Sequence, residues 1–159
     1  ANVFDKIDSE EKAYWLGFIF ADGSIRSYKE GEKPVYTLEI SLKGSDYEHL
    51  IKFSKFIKHE NQNLVTISDA KCGETICKRC RLCITNKHLW EILNNYGCTP
   101  QKSLTLQFPN LNIFNNSELI RHFIRGYYDG DGCFSRHVWK TIVTPTVSIL
   151  GTPEFLNSI

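Results

Sequence analysis

"IRGYYDGDG", from Ile124 to Gly132, closes an apolar stretch with two aspartates and three glycines. The C-terminus of a helix is the negative end of its dipole, so acids are disfavoured there. The pattern is nonetheless present twice. "YWLGFIFADGSI" (Tyr14 to Ile25) aligns with "FIRGYYDGDGCF" (Phe123 to Phe134) at a constant separation of 109 positions, as from Asp22 to Asp131. Tyr14 meets Phe123, Gly17 meets Gly126, Ala21 meets Gly130, and Gly23 meets Gly132. Asp129 falls outside the symmetric set, because its counterpart is Phe20.

The flanks repeat as well. Asp8 with Glu11, and Asn115 with Glu118, have the spacing of a capping box at a helix start. A helix is predicted from about Ser9 to Ala21, then strands near Gly23–Tyr28 and Val35–Lys43. "SDYEHLIKFSKFI" reads as an amphipathic helix with Tyr47, Leu50, Ile51 and Ile57 on one side. "LVTISDA" and "ETICKRCRLCIT" form a second hairpin. "NKHLWEILNNYG" is a helix capped by Asn86 and stopped by Gly97. The order is αββαββα. The second copy delivers αββ and ends at "EFLNSI", inside its second helix; Gly44 matches Gly151, with Ser45 and Thr152 as cap candidates and Pro153 suited to a first turn. The fold class expected is α+β, two pseudosymmetric repeats with antiparallel sheets: residues 1–107, a linker over 108–115, and a truncated copy over 116–159.

Composition agrees with one domain-sized core: 159 residues, 42% hydrophobic and 13% aromatic. The net charge is +1, with no overall basic excess, so any polyanion-binding surface must concentrate its basic residues on one face. No apolar run approaches the roughly 20 residues that span a bilayer. "ANVFDKIDSEEK" has no signal-peptide pattern, so the protein is expected to be intracellular, with no membrane partner. Cys72, Cys77, Cys80 and Cys83 crowd one stretch. On a strand, Cys77 and Cys83 face one side and Cys80 the other, which does not make a tetrahedral metal site. Reduced thiols are the expectation.

Gly17 and Ala21 share one helix face, as do Gly126 and Gly130. Small residues at this spacing let two helices approach closely. That packing would bring Asp22 and Asp131 together at the foot of the pair. Adjacent carboxylates repel and raise a pKa. A hard divalent cation relieves this, taking the carboxylates and nearby main-chain carbonyls as oxygen ligands. Gly23 and Gly132 are expected to let the chain turn sharply out of each helix.

"WLGFIFADG" and "IRGYYDGDG" resemble the two signature motifs of the LAGLIDADG homing endonucleases in their single-chain form. "TPQKSLTLQFP" after the third helix fits as well. The resemblance implies a site-specific endonuclease, encoded by an intron or intein, that hydrolyses phosphodiester bonds in both strands of duplex DNA and leaves 3′ overhangs. It implies that the motif helices form the interface between halves. Asp22 and Asp131 would bind Mg²⁺ (Mn²⁺ or Ca²⁺ substituting in binding), with the carbonyls of Ala21 and Gly130 contributing. Lys102 resembles the basic residue that supports the reaction. A saddle of strands would lie in the major groove along a long target site.

Alternation then assigns the faces. Ile25, Leu38, Ile40, Leu42, Ile76, Leu82, Ile84, Val147 and Ile149 are expected inward. Outward lie Ser24, Arg26, Tyr28, Thr37, Glu39, Ser41, Lys43, Arg79, Arg81 and Cys83. In the second copy Ser135, His137, Thr146 and Ser148 do the same. Arg, Glu and hydroxyl side chains suit base edges. The alternatives are an RNA-binding maturase and a DNA-binding protein that does not cleave; the presence of both acids argues against the latter. Because the second copy is short, residues 1–159 alone are expected to be weakly stable or to cleave poorly. A full-length chain would act as a monomer, or a second chain would complete the repeat.

Overall fold

The computed structural model describes residues 3–57 and 64–159. Helix α1 (Glu10–Asp22) starts after Ser9, whose hydroxyl accepts from the Lys12 amide at 3.3 Å. Ser9, not Asp8, is the cap; Asp8 is drawn off by an ion pair with Lys12 at 2.7 Å. Every residue from Trp15 to Phe20 is buried. A helix apolar on all sides belongs inside a protein, and α1 is the central rod of this one.

Strands β1 (Gly23–Glu30) and β2 (Lys33–Lys43) form a hairpin. After a 3₁₀ turn comes α2 (Tyr47–Phe56). Ser45, the expected cap, instead donates to the Asp46 carboxylate at 3.1 Å, and α2 has no side-chain cap. Strands β3 (Val65–Cys72) and β4 (Thr75–Thr85) complete an antiparallel sheet ordered β1-β2-β4-β3. Helix α3 (Lys87–Asn95) is capped by Asn86, which accepts from the Leu89 amide at 2.9 Å. It is followed by Gly97 at φ 105°, a conformation glycine adopts freely.

The chain then returns to α1. A parallel bridge joins Ile7 to Phe114, and the Asn115 amide donates to the Ile7 carbonyl at 2.9 Å. Helix α4 (Leu119–Asp131) begins after Glu118, which makes no capping bond. The expected cap, Asn115, lies too far upstream because its backbone is tied to Ile7. Strands β5 (Gly132–Trp139) and β6 (Ile142–Ile149) pair as a two-stranded sheet. The short helix α5 (Pro153–Leu156) is capped by Thr152 as expected, with Pro153 in its first turn. No described helix is long and apolar enough to cross a membrane.

The core fills the space between α1 and the four-stranded sheet with Ile25, Leu38, Ile40, Leu82 and Ile84, closed by Leu50 and Phe53 of α2 and Leu89 and Leu93 of α3. Three face assignments need correction. Ile76 is 75% exposed and Val147 65% exposed, although both were expected inward. Alternation fixes the side of a sheet, not whether anything covers it there. Thr37, expected on the open face, is only 5% exposed, because β2 is a middle strand and Arg26 and Thr85 flank it in register. The thiol expectation is also corrected. Cys80, Cys83, Cys98 and Cys133 are free, but Cys77 is disulfide-bonded. Compartment sets the general tendency, whereas local geometry decides which sulfurs can bond. The Cys72 side chain lies outside the described part. Cys80 points to the core and donates to the Lys43 carbonyl at 3.0 Å. No group of three or more His, Cys, Asp or Glu suited to a metal occurs among the described residues.

Candidate metal and nucleic-acid site

Helices α1 and α4 touch backbone to backbone. A methyl added at Gly17 would strike the Phe123 carbonyl, and one added at Gly126 would strike the Tyr14 carbonyl. This reciprocal exchange is the geometry of a pseudo-twofold axis, and the aligned residues Tyr14 and Phe123 take part in it. One turn further, a methyl at Gly130 would lie 2.5 Å from the Ala21 side chain and 2.8 Å from an Asp22 carboxylate oxygen. The helix ends therefore meet where the acids are. Gly23 and Gly132 are needed for a different reason from the one expected. Their φ values, −75° and −90°, suit any residue. A side chain there would instead run into the carbonyls of Ile19 and Tyr128, one turn back.

The electrostatics follow from crowding. Burial, with Asp131 and Asp46 adding repulsion and Lys102 opposing, pushes the Asp22 carboxyl up to about 6. Burial also raises Asp131, opposed by Lys102 and by the Tyr127 hydroxyl beside it. That hydroxyl donates to the Leu150 carbonyl at 2.9 Å. Lys102 sits in a 3₁₀ turn (Lys102–Leu104), is almost fully buried, and donates to the Ala21 carbonyl at 2.6 Å. Burial lowers its pKa, while Cys98, Asp131 and Asp22 hold it up.

Two clefts open beside the helix pair. One, of about 630 Å³, is lined by Asp22, Gly130, Asp129, Asp46 and His49, with Lys43 and Arg79 across it. The other, of about 310 Å³, is lined by Asp131, Ala21, Lys102 and Ser103. Each motif acid thus shares a cleft with the residue preceding the other acid. The carboxylates and the carbonyls of Ala21 and Gly130 form a set of hard oxygen donors, the kind that Mg²⁺ and Ca²⁺ take. Lys102 supplies one positive charge against two partly buried carboxyls. The residues fit a divalent cation on these grounds.

On the sheet face, Arg26, Tyr28, Ser41, Lys43, Arg79 and Arg81 are exposed, as are His137 and Ser148 of the second copy. Ser24, Glu39, Cys83, Ser135 and Thr146 are half-buried. Lys43 lies opposite Arg79 and Ser41 opposite Arg81, so the basic residues group together. Glu39 and Arg81 are ion-paired at 2.8 Å. Sequence reasoning missed His49 and Asp46 as cleft residues, and Tyr14 as the partner of Asp129 and His49 beside them. In the repeat Tyr14 aligns as an aromatic with Phe123, and His49 sits on α2 beside its apolar face. The break in the repeat at Asp129 was the available signal, since the Asp129 carboxylate accepts from the Tyr14 hydroxyl at 2.7 Å.

No family model and no curated protein matches the sequence. Solved structures do. A structure of mesophilic variants of the homing endonuclease I-DmoI is 24% identical, with 84% of this chain and 65% of that chain covered and a TM-score of 0.50. I-DmoI in complex with DNA and Ca is 24% identical over 84% of this chain and 60% of that one, with a TM-score of 0.51. The LAGLIDADG homing endonuclease I-GzeII with its DNA target is 14% identical over 86% and 65%, with a TM-score of 0.50. The chain spans about two thirds or less of these proteins. Its α+β architecture, paired motif helices and antiparallel sheets have the LAGLIDADG homing endonuclease fold.

Proposed function

We propose that this chain recognises a long duplex DNA site with the outer faces of its sheets and hydrolyses one phosphodiester on each strand, leaving 3′ overhangs. The reading is supported most by one observation: two partly buried, mutually repelling carboxyls at the foot of a helix pair, sharing a buried lysine. In this reading the cation is Mg²⁺, held by Asp22, Asp131 and the carbonyls of Ala21 and Gly130. When bound there, such an ion would supply a lowered pKa for water and offset charge on the phosphate. Lys102 fixes the Ala21 carbonyl and offsets the charge developing at the Asp131 cleft. Lys43, Arg79 and Arg81 grip the backbone, while Arg26, Tyr28 and the hydroxyl residues face the bases. Residues 1–107 and 116–159 act as the two halves of the reader. The bound state of the neighbours, which were solved with DNA, is consistent with this assignment.

Selection of cut sites from a randomised plasmid library with Mg²⁺ tests the reading. Cleavage that disappears in both D22N and D131N is the expected result. Binding without any cut would favour the non-cleaving alternative, and stimulation of intron splicing without cutting would favour the maturase.

A further inference from the structure

The two clefts break the pseudosymmetry in one place. Tyr14 of α1, Asp129 of α4 and His49 of α2 form a hydrogen-bonded polar group beside the Asp22 cleft, which Asp129 and His49 line. The counterparts of Tyr14 and Asp129, 109 positions away, are Phe123 and Phe20. The counterpart of His49 is identified by its contacts. His49 lies 4.6 Å from the Phe18 ring and 6.2 Å from Tyr14. Phe155 lies 4.2 Å from Tyr127 and 6.3 Å from Phe123, the matching residues. One half therefore carries Tyr, Asp and His where the other carries three phenylalanines, each 0% exposed. The phenylalanines are core residues, whereas Asp129 is exposed and Tyr14 and His49 are half-buried, so the polar trio gathers at the solvent-facing side of one acid's cleft, which Asp129 and His49 line.

The hydrogen bonds have a direction. The Tyr14 hydroxyl has one hydrogen, and it is donated to Asp129 at 2.7 Å. Its oxygen then accepts from His49 Nε2–H at 3.4 Å. This leaves the Nδ1 lone pair of His49 free to accept. Burial lowers the His49 pKa, with Asp129 and Asp46 opposing and Lys52 adding. Lys43 and Arg79 line the same cleft, and Arg125 stacks on the Tyr14 ring at 5.0 Å.

We propose that His49, oriented by Tyr14 and Asp129, takes the proton of the attacking water in the Asp22 cleft, so that the two DNA strands are cut with unlike proton acceptors. The proposal rests on the endonuclease reading. A water O–H bond breaks and its proton goes to Nδ1. The oxygen forms a bond to phosphorus, the P–O3′ bond breaks, and the 3′ oxygen leaves with the electron pair and takes a proton from solvent. The imidazolium returns its proton to solvent. Tyr14 and Asp129 are positioning residues. In the other cleft Lys102 occupies the polar role and the phenylalanines pack the core.

The test uses H49F, which places the residue of the other half at this position, and Y14F. On a site selected with the wild-type protein, H49F should slow one strand about a hundredfold or more and leave the other unchanged, so nicked plasmid accumulates. The slow strand should lose the rise in rate with pH that the wild type shows on the acid side of pH 6.5, since burial lowers the His49 pKa. Independently, ¹⁵N spectra of the metal-free wild type at pH 7 should show neutral His49 protonated on Nε2, and Y14F should lose that tautomer preference. Equal rates on both strands in H49F, equal slowing of both, or an imidazolium or Nδ1–H tautomer at pH 7 would overturn the proposal while the endonuclease reading stands. A wild-type protein that cuts no duplex in the library overturns both.

Discussion

At Asp22 a single carboxyl carries a conflict between fold and function. Its folded pKa, about 6, exceeds the ordinary 3.8. The folded state therefore holds the proton more tightly than the unfolded chain does. Without a cation, this group's contribution is most favourable below pH 3.8 and is lost as pH rises through about 6. The interval corresponds to about 3 kcal/mol, which solvent around the half-buried carboxyl reduces to about 1–2 kcal/mol. D22N should accordingly raise the melting temperature of the chelator-treated protein at pH 7 by about 2–8 °C. Mg²⁺ should raise that of the wild type and have no effect on D22N combined with D131N. A wild-type melting temperature that stays flat from pH 4 to 7 would contradict this account. Lys102 belongs to the same group of charges. K102M removes the amine from the Ala21 carbonyl, and should lower cleavage on the Asp131 side by about a hundredfold or more, measured strand by strand.

The two motif helices differ as elements although their motifs match. In α1 the residues from Trp15 to Phe20 are buried on every side. In α4 the buried residues are Leu119, His122, Phe123, Gly126 and Tyr127, a single stripe. The reason is their surroundings: α1 lies between the four-stranded sheet and α4, whereas α4 is covered on one side. Their contact is backbone against backbone, so it tolerates no side-chain volume. G17A or G126A must push the helices apart and should cost about 3 kcal/mol or more, read from denaturant unfolding. G31A sits in a hairpin turn with open space around it. Its only penalty is the strained φ of 63°, so it should cost about 1 kcal/mol. Equal losses in the two kinds of variant would show that the helix approach is not the constraint.

For the whole molecule, the unequal sheets matter most. In register on one face of β5 and β6 lie Phe134 with Val147 and Val138 with Val143, exposed by 55–67%. The same face of β1 carries Ile25, which is 1% exposed beneath the helices. These exposed apolar pairs, with Arg136 and Pro145 in register between them, favour association. The span 1–159 should self-associate in a concentration-dependent way, and F134S with V147T should reduce that, as sedimentation would report. The proposed DNA binding supplies a second whole-molecule check. With a net charge of only +1, the proposal places the contacts on the local cluster of Lys43, Arg79 and Arg81. R79A should therefore lower affinity across sequences and reduce the salt slope by about one.

Much of this was legible along the chain because it is local. Helix and strand order, the caps at Asn86 and Thr152, the small residues at Gly17 and Gly126 and the repeated acids all follow from spacing of a few residues or from one repeat. Local rules also erred locally: Asp8 lost its cap to an ion pair, and Asn115 lost its own to Ile7. What only the tertiary structure decided is what each face meets. Ile76 and Val147 obey alternation and still see solvent, and Thr37 obeys it and is buried, because strand neighbours and covering helices come from distant parts of the chain. The Tyr14–Asp129–His49 group joins three helices: the repeat shows that Asp129 breaks the symmetry, but only packing shows that it meets Tyr14 and His49. Periodicity determines which side a residue takes; the packing of remote segments determines the chemistry on that side.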